Sequence, residues 1–150
     1  MKIDPNLGMV YLAEQTSPDQ NIVKNMDVVD KNGVFYVDFE NVSNQGLSGI
    51  EKLSEKDKVI ILYSDSANCI HFDCVEKLLN CKTQLEIFKA DHGTPNALDF
   101  QLVSLMFLRI RKDEDTYIVS KDNGFDAAVK LGRRQGIERI YRISTINEMI

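Results

Sequence analysis

The sequence has little of what disulfide frameworks, membrane spans and nucleotide cofactors demand. Three cysteines, Cys69, Cys74 and Cys81, form an odd set confined to one short region, unlike the disulfide frameworks of small exported domains. Only two histidines are present, His71 and His92. His71 lies among the cysteines, but the spacings match no zinc finger or ribbon, and residues on one helix and its end do not converge easily on a tetrahedral centre. The thiols read instead as small buried hydrophobes. No apolar run approaches the roughly 20 residues that cross a bilayer. The stretch Met9-Val10-Tyr11-Leu12-Ala13 has neither the length nor the basic flank of a signal peptide. The expectation is a cytoplasmic protein with no membrane partner. No Gly-x-Gly-x-x-Gly turn follows the first apolar run and no Gly-x-Ser-x-Gly elbow accompanies the histidines, so dinucleotide binding and Ser-His-Asp hydrolysis are poorly supported.

Positive charge is also scarce, with 18 Lys+Arg against 23 Asp+Glu and a net charge of −5. Phosphate binding draws largely on Lys and Arg, so the balance at first argues against a nucleic-acid partner. The average hides an asymmetry: residues 1–100 carry 9 basic and 16 acidic side chains, net −7, whereas residues 101–150 carry 9 and 7, net +2. Lys89, Lys121, Lys130, Arg133 and Arg134 are the candidates for a phosphate-tracking edge. The last three equally suit the end of a helix that Gly136 closes, where cations belong for dipole reasons alone.

What is present is a core. At 150 residues and 43% hydrophobic content, the chain suits one domain. Residues 1–30 are weakly patterned and read as an extension; residues 31–150 read as the domain. There, β-branched and aromatic runs alternate with segments of helical period. The runs are 34–37, 59–63, 85–88, 116–119 and 137–143, with helices expected near 46–55, 68–80, 96–111 and 124–134. Strict alternation predicts a mostly parallel sheet with helices on both faces, a three-layer α/β/α domain joined by right-handed crossovers.

In such a sheet, ligands bind outside the carboxyl ends of the strands, and those positions are rich in acid. Asp38 ends the first run. Taken alone it suits a turn or cap with Asn41 and Ser43 as well as a ligand role. Asp99 follows Asn96 at the start of a helix apolar nearly all round, which predicts burial on most sides; an isolated buried carboxylate is costly unless compensated, although a first-turn acid also suits the helix dipole. Asp122 and Asp126 flank Asn123-Gly124-Phe125 at a strand-to-helix turn. Asp122 fits an N-cap and Asp126 a favourable first-turn acid, yet like charges at this spacing can also face one cation. Separate caps explain the whole set less well than a shared oxygen-ligand site, which Mg²⁺ or Mn²⁺ would suit.

Three motifs resemble those of PIN-like, NYN-type nucleases: Val37-Asp38-Phe39-Glu40-Asn41-Val42, Asn96-Ala97-Leu98-Asp99, and Val119-Ser120-Lys121-Asp122-Asn123-Gly124-Phe125-Asp126. The resemblance covers about residues 33–143, and the three motifs together, in this order and spacing, are its specific signal. It implies a PIN-like, Rossmann-like topology and a ribonuclease dependent on Mg²⁺ or Mn²⁺. Asp38, Asp99, Asp122 and Asp126 would be catalytic metal ligands or acids just behind them. Asn41, Asn96, Ser120 and Lys121 would serve substrate binding, and Glu40 or Asp65 would be an additional acid of undefined place. The partner implied is RNA, single-stranded or structured, together with a protein partner or a second copy. The chief alternative is a non-catalytic PIN-like module that binds RNA or protein. A phosphatase or receiver using Asp38 as phosphoacceptor is weaker, because a dehalogenase-like phosphatase wants Asp where Glu40 stands, and a receiver wants its acceptor after the third strand.

Overall fold

A computed structural model describes residues 32–91 and 94–149; the expected extension over 1–30 lies outside them. Alternating β-branched and aromatic residues form five strands: β1 (Gly33–Asp38), β2 (Lys58–Tyr63), β3 (Gln84–Lys89), β4 (Asp115–Val119) and β5 (Ile140–Ile143). All four pairings are parallel, in the order β3-β2-β1-β4-β5. Four helices connect them: α1 (Phe39–Gly46), α2 (Phe72–Asn80), α3 (Ala97–Arg109) and α4 (Asp126–Arg134).

Side chains of a strand alternate between faces, and two cores follow from that. Phe35, Val37, Val59, Ile61, Tyr117 and Val119 pack on one side with Val42 of α1 and Cys74 of α2. Tyr36, Ile60, Leu62 and Ile118 pack on the other with Leu98, Leu102 and Met106 of α3 and Val129 of α4. The expected three-layer α/β/α arrangement is therefore found. β2 and β4 are buried along most of their length, as near-continuous apolar runs in a parallel sheet should be.

Two of the helix expectations need correcting; in addition, the run expected over 137–143 forms a strand only at Ile140–Ile143, and Cys69 is exposed. The helix placed at 46–55 begins earlier. Asp38 accepts a hydrogen bond from the Asn41 N–H at 3.3 Å and so caps a helix that leaves β1 without a loop. α1 breaks at Ser43, whose φ of 52° and ψ of −150° are non-helical. Only a 3₁₀ turn at Ile50–Lys52 remains, preceded by Gly49 at φ 98°. Second, α3 is not buried on most sides. Leu98, Leu102 and Met106 form one stripe against the sheet, while Phe100 and Leu108 are 70% and 84% exposed. A helix lying on a sheet needs only one such stripe.

The strand order carries the functional consequence. From β1 the chain moves through β2 to β3 on one side, then crosses β1 to build β4 and β5 on the other. The order reverses between β1 and β4, and a crevice opens at the carboxyl ends of adjacent strands at such a point. Val37 pairs with Val119, so the residues that follow, Asp38 and Ser120, emerge side by side into that crevice.

Candidate active site

Asp38 is 2% exposed. Its Oδ2 accepts a hydrogen bond from the Ser120 hydroxyl at 2.9 Å, and its Oδ1 accepts the α1 cap bond. The Ser120 Oγ in turn accepts from the Asp122 N–H at 3.1 Å. Asn41 Oδ1 accepts from the Lys121 N–H at 2.7 Å. The end of β1, the first turn of α1 and the loop after β4 are thus tied into one unit by neutral donors. The expected cap roles are present together with the clustering, since Asp122 Oδ1 also accepts from the Gly124 N–H at 2.8 Å. Gly124 allows that close approach, because a Cβ there would meet Asp122 Oδ1 at 3.1 Å.

Burial pushes the Asp38 carboxyl up to about 6, opposed by the Ser120 bond and reinforced by the charges of Asp99 and Glu40. Burial also raises Asp99, with further contributions from Asp122 and Glu40. Asp38, Asp99, Asp122 and Glu40 therefore share one electrostatic environment. Among the described residues, no lysine or arginine forms an ion pair with Asp38, Asp99 or Asp122. A buried carboxylate so placed lacks the positive charge that ordinarily offsets desolvation.

Asp126 stands apart. Arg142, on β5, donates to both of its oxygens, at 2.7 Å and 3.3 Å, and holds its carboxyl below the usual range. The same guanidinium donates to the Ser120 carbonyl at 3.2 Å. Asp126 and Arg142 thus brace the loop carrying Ser120 and Asp122.

Glu40, left without a place by the sequence reading, accepts from the Ser64 hydroxyl at 3.0 Å and acts on both Asp38 and Asp99. Asp38, acting as the cap the sequence allowed, starts α1 at residue 39 and puts Glu40 in its first turn, whereas the expected helix begins only at residue 46. Asn96, at φ 63°, lines two depressions. One, of about 490 Å³, also contains Asp99 and Asp122; the other, of about 210 Å³, contains Glu40 and Asp65. The Lys121 side chain is exposed.

The donors suit a divalent cation. They are all oxygens; among the described residues Asp38 and Asp99 have no ion-pair partner, whereas Asp122 has the charge of Arg142 nearby, and a hard ion would relieve the charges that Asp38, Asp99 and Glu40 impose on one another. No group of three acidic, histidine or cysteine side chains stands closed around one point among the described residues.

Of the five residues of the expected basic edge, Lys89 and Arg133 are engaged within the fold, and several arginines outside that edge are paired as well. Arg109 pairs with Glu86, Arg111 with Asp113, Arg139 with Asp115 and Lys89 with Asp65. Arg133 donates to the Ile140 carbonyl at 3.0 Å and lies over the Tyr141 ring.

A family model described as the PIN domain matches residues 32–142. Comparison with curated proteins and with solved structures finds no match.

Proposed function

Because the chain belongs to the PIN domain family, which generally includes metal-dependent nucleases, we propose that it is a divalent-metal-dependent ribonuclease acting in the cytoplasm, with residues 31–150 as the catalytic unit. The observation that supports the proposal is Asp38, a buried carboxylate at the end of the central strand, held by neutral donors beside other acids and, among the described residues, without an ion-pair partner. The narrower NYN-type resemblance rests on the three sequence motifs.

Asp38, Asp99 and Asp122, with Glu40 contributing, would hold Mg²⁺ or Mn²⁺. When bound, the ion supplies Lewis-acid polarisation of the phosphodiester and favours ionisation of water. Ser120 orients Asp38 through its hydroxyl and fixes Asp122 through the Asp122 N–H. Asn41 locks Lys121 by its backbone, leaving the Lys121 ammonium and the Asn96 amide to meet the substrate. Asp126 is a positioning residue, acting through Arg142 on the loop that carries Ser120. With most arginines engaged in internal pairs, RNA would be held mainly through the cation rather than by a basic track.

The test is cleavage of labelled single-stranded and structured RNA, with DNA controls, in Mn²⁺, Mg²⁺ or EDTA. Asp38→Asn combined with Asp122→Asn is run beside the unaltered chain. Metal-dependent RNA cutting that the folded double variant loses supports the proposal. Absence of cutting, with no metal-induced rise in Tm, would replace it by the second reading, a non-catalytic RNA- or protein-binding module, which the open arrangement of the acids favours.

A further inference from the structure

The acids stand at the head of a groove between α3 and α4. Asp99, Val103 and Phe107 follow one another at four-residue spacing along α3 and all line the 490 Å³ depression. At 1.5 Å rise per residue, the groove runs about 12 Å along that helix from its acidic head. Opposite, Asp122 and Gly124 line it from the turn before α4, followed by Ala128 and Leu131 on α4 itself. The lining therefore changes from carboxylates to aliphatic and aromatic carbon away from the strand ends, and among the described residues it contains no lysine or arginine. Phe100, next in sequence to Asp99, also lines it and is 70% exposed.

Such a gradient matches one kind of occupant. A phosphate chain finds no basic partner in the groove, so the backbone would not follow it. A flat apolar group attached to a phosphate held at the head would fill it. The volume is within the range of small-molecule sites, about 300–1,000 Å³, and aromatic rings stack on any base because every base presents a π-face. Covering the groove with a second copy would instead desolvate Asp99 and Asp122 without a counter-charge.

We propose that this groove receives a nucleobase adjacent to the phosphodiester held at the acids, with the Phe100 ring as its stacking platform. The proposal rests on the nuclease reading for what brings RNA to the acids. It makes unpaired RNA the preferred substrate, since a base in a duplex is not free to leave its stack. Phe100 is a binding residue for that base and takes no part in bond breaking.

The experiment is binding of short single-stranded RNAs in Ca²⁺, each with one 2-aminopurine at a successive position, to the full chain and to Phe100→Ala, Phe100→Leu and Phe100→Tyr. Because the ring is exposed, all three should melt with the unaltered chain. One position should show quenching. Phe100→Ala and Phe100→Leu should bind about 10–100-fold more weakly and lose it, whereas Phe100→Tyr keeps both. An abasic residue at that position should weaken binding to the unaltered chain as much as Phe100→Ala does.

Equal binding by Phe100→Ala overturns the proposal, as does full retention by Phe100→Leu, which would mean apolar bulk without stacking. A dimer that Phe100→Ala converts to monomer in sedimentation would assign the groove to a second copy. Binding with quenching but no cutting in Mn²⁺ leaves this inference standing and removes the nuclease reading. Cutting with KM and kcat unchanged by Phe100→Ala does the reverse, and absence of both binding and cutting removes both.

Discussion

Two buried aspartates at opposite ends of adjacent strands are held in opposite ways. Asp115 opens β4 and is 8% exposed; Arg139 donates to its Oδ1 at 2.6 Å. Asp38 closes β1 and is 2% exposed, and its contacts are the Ser120 hydroxyl and one backbone N–H. Near the first end, Asp57 likewise accepts from the Gly33 and Ser54 N–H groups at 2.8 Å each, closing the loop that leads into β2. At one end of the sheet the buried carboxylate is matched by the protein's own cation, although Arg139 Nη2 is itself buried without a hydrogen-bond partner. At the other, among the described residues, Asp38 has no ion-pair partner, and it lies where strand order reverses.

The contrast is broken most strongly at Asp38. Asp38→Asn should lower metal-dependent RNA cleavage by on the order of 10³-fold, measured as kcat/KM on folded protein. Asp115→Asn should leave the folded enzyme active but remove about 2–3 kcal/mol of stability in urea denaturation. It strands the Arg139 guanidinium, whose partial exposure keeps the loss below that of a fully buried pair.

A smaller effect sharpens the comparison through pH. The Asp38 carboxyl is raised to about 6 from an ordinary 3.8, so between these values the folded chain binds more protons than the unfolded one and this group's contribution to stability falls as pH rises. In metal-free buffer, Asp38→Asn should match the unaltered chain below pH 4 and exceed it above pH 6 by on the order of 2 kcal/mol. Activity should show the opposite slope at limiting metal, rising through about pH 6 as Asp38 ionises, with the midpoint moving down as metal is increased. The smallest effect is expected at the brace. Arg142→Leu should lower kcat about tenfold and stability by about 1 kcal/mol, because it frees the loop bearing Ser120 without touching Asp38.

Much of the frame is legible in the sequence because strand burial is written locally. The runs at 34–37, 59–63, 85–88 and 116–119 each lie within an observed strand, and the spacing between them left room only for crossover helices. What escaped was set by neighbours distant in sequence or by single-residue capping. Asp38 as cap moved the first helix forward and brought Glu40 to the acids. Arg142, sixteen residues beyond Asp126, drew that carboxylate onto the loop brace. The apolar composition of α3 does not distinguish a buried face from a groove; Leu98, Leu102 and Met106 meet the sheet, whereas Phe100 faces outward beside Asp99. Of the cations that suggested a basic edge, Lys89 found a carboxylate partner and Arg133 a carbonyl and a ring.

The central claim is that the carboxyl end of the sheet is a cation site, and the most direct measurement is Tm at pH 7.5 in EDTA, Mg²⁺ and Mn²⁺ for the unaltered chain and Asp38→Asn. The account expects Mn²⁺ at a hundred times its Kd to stabilise the unaltered chain by about 2.7 kcal/mol, a rise of several degrees, and to leave Asp38→Asn unmoved. Equal shifts in both proteins, or none in either, would contradict it.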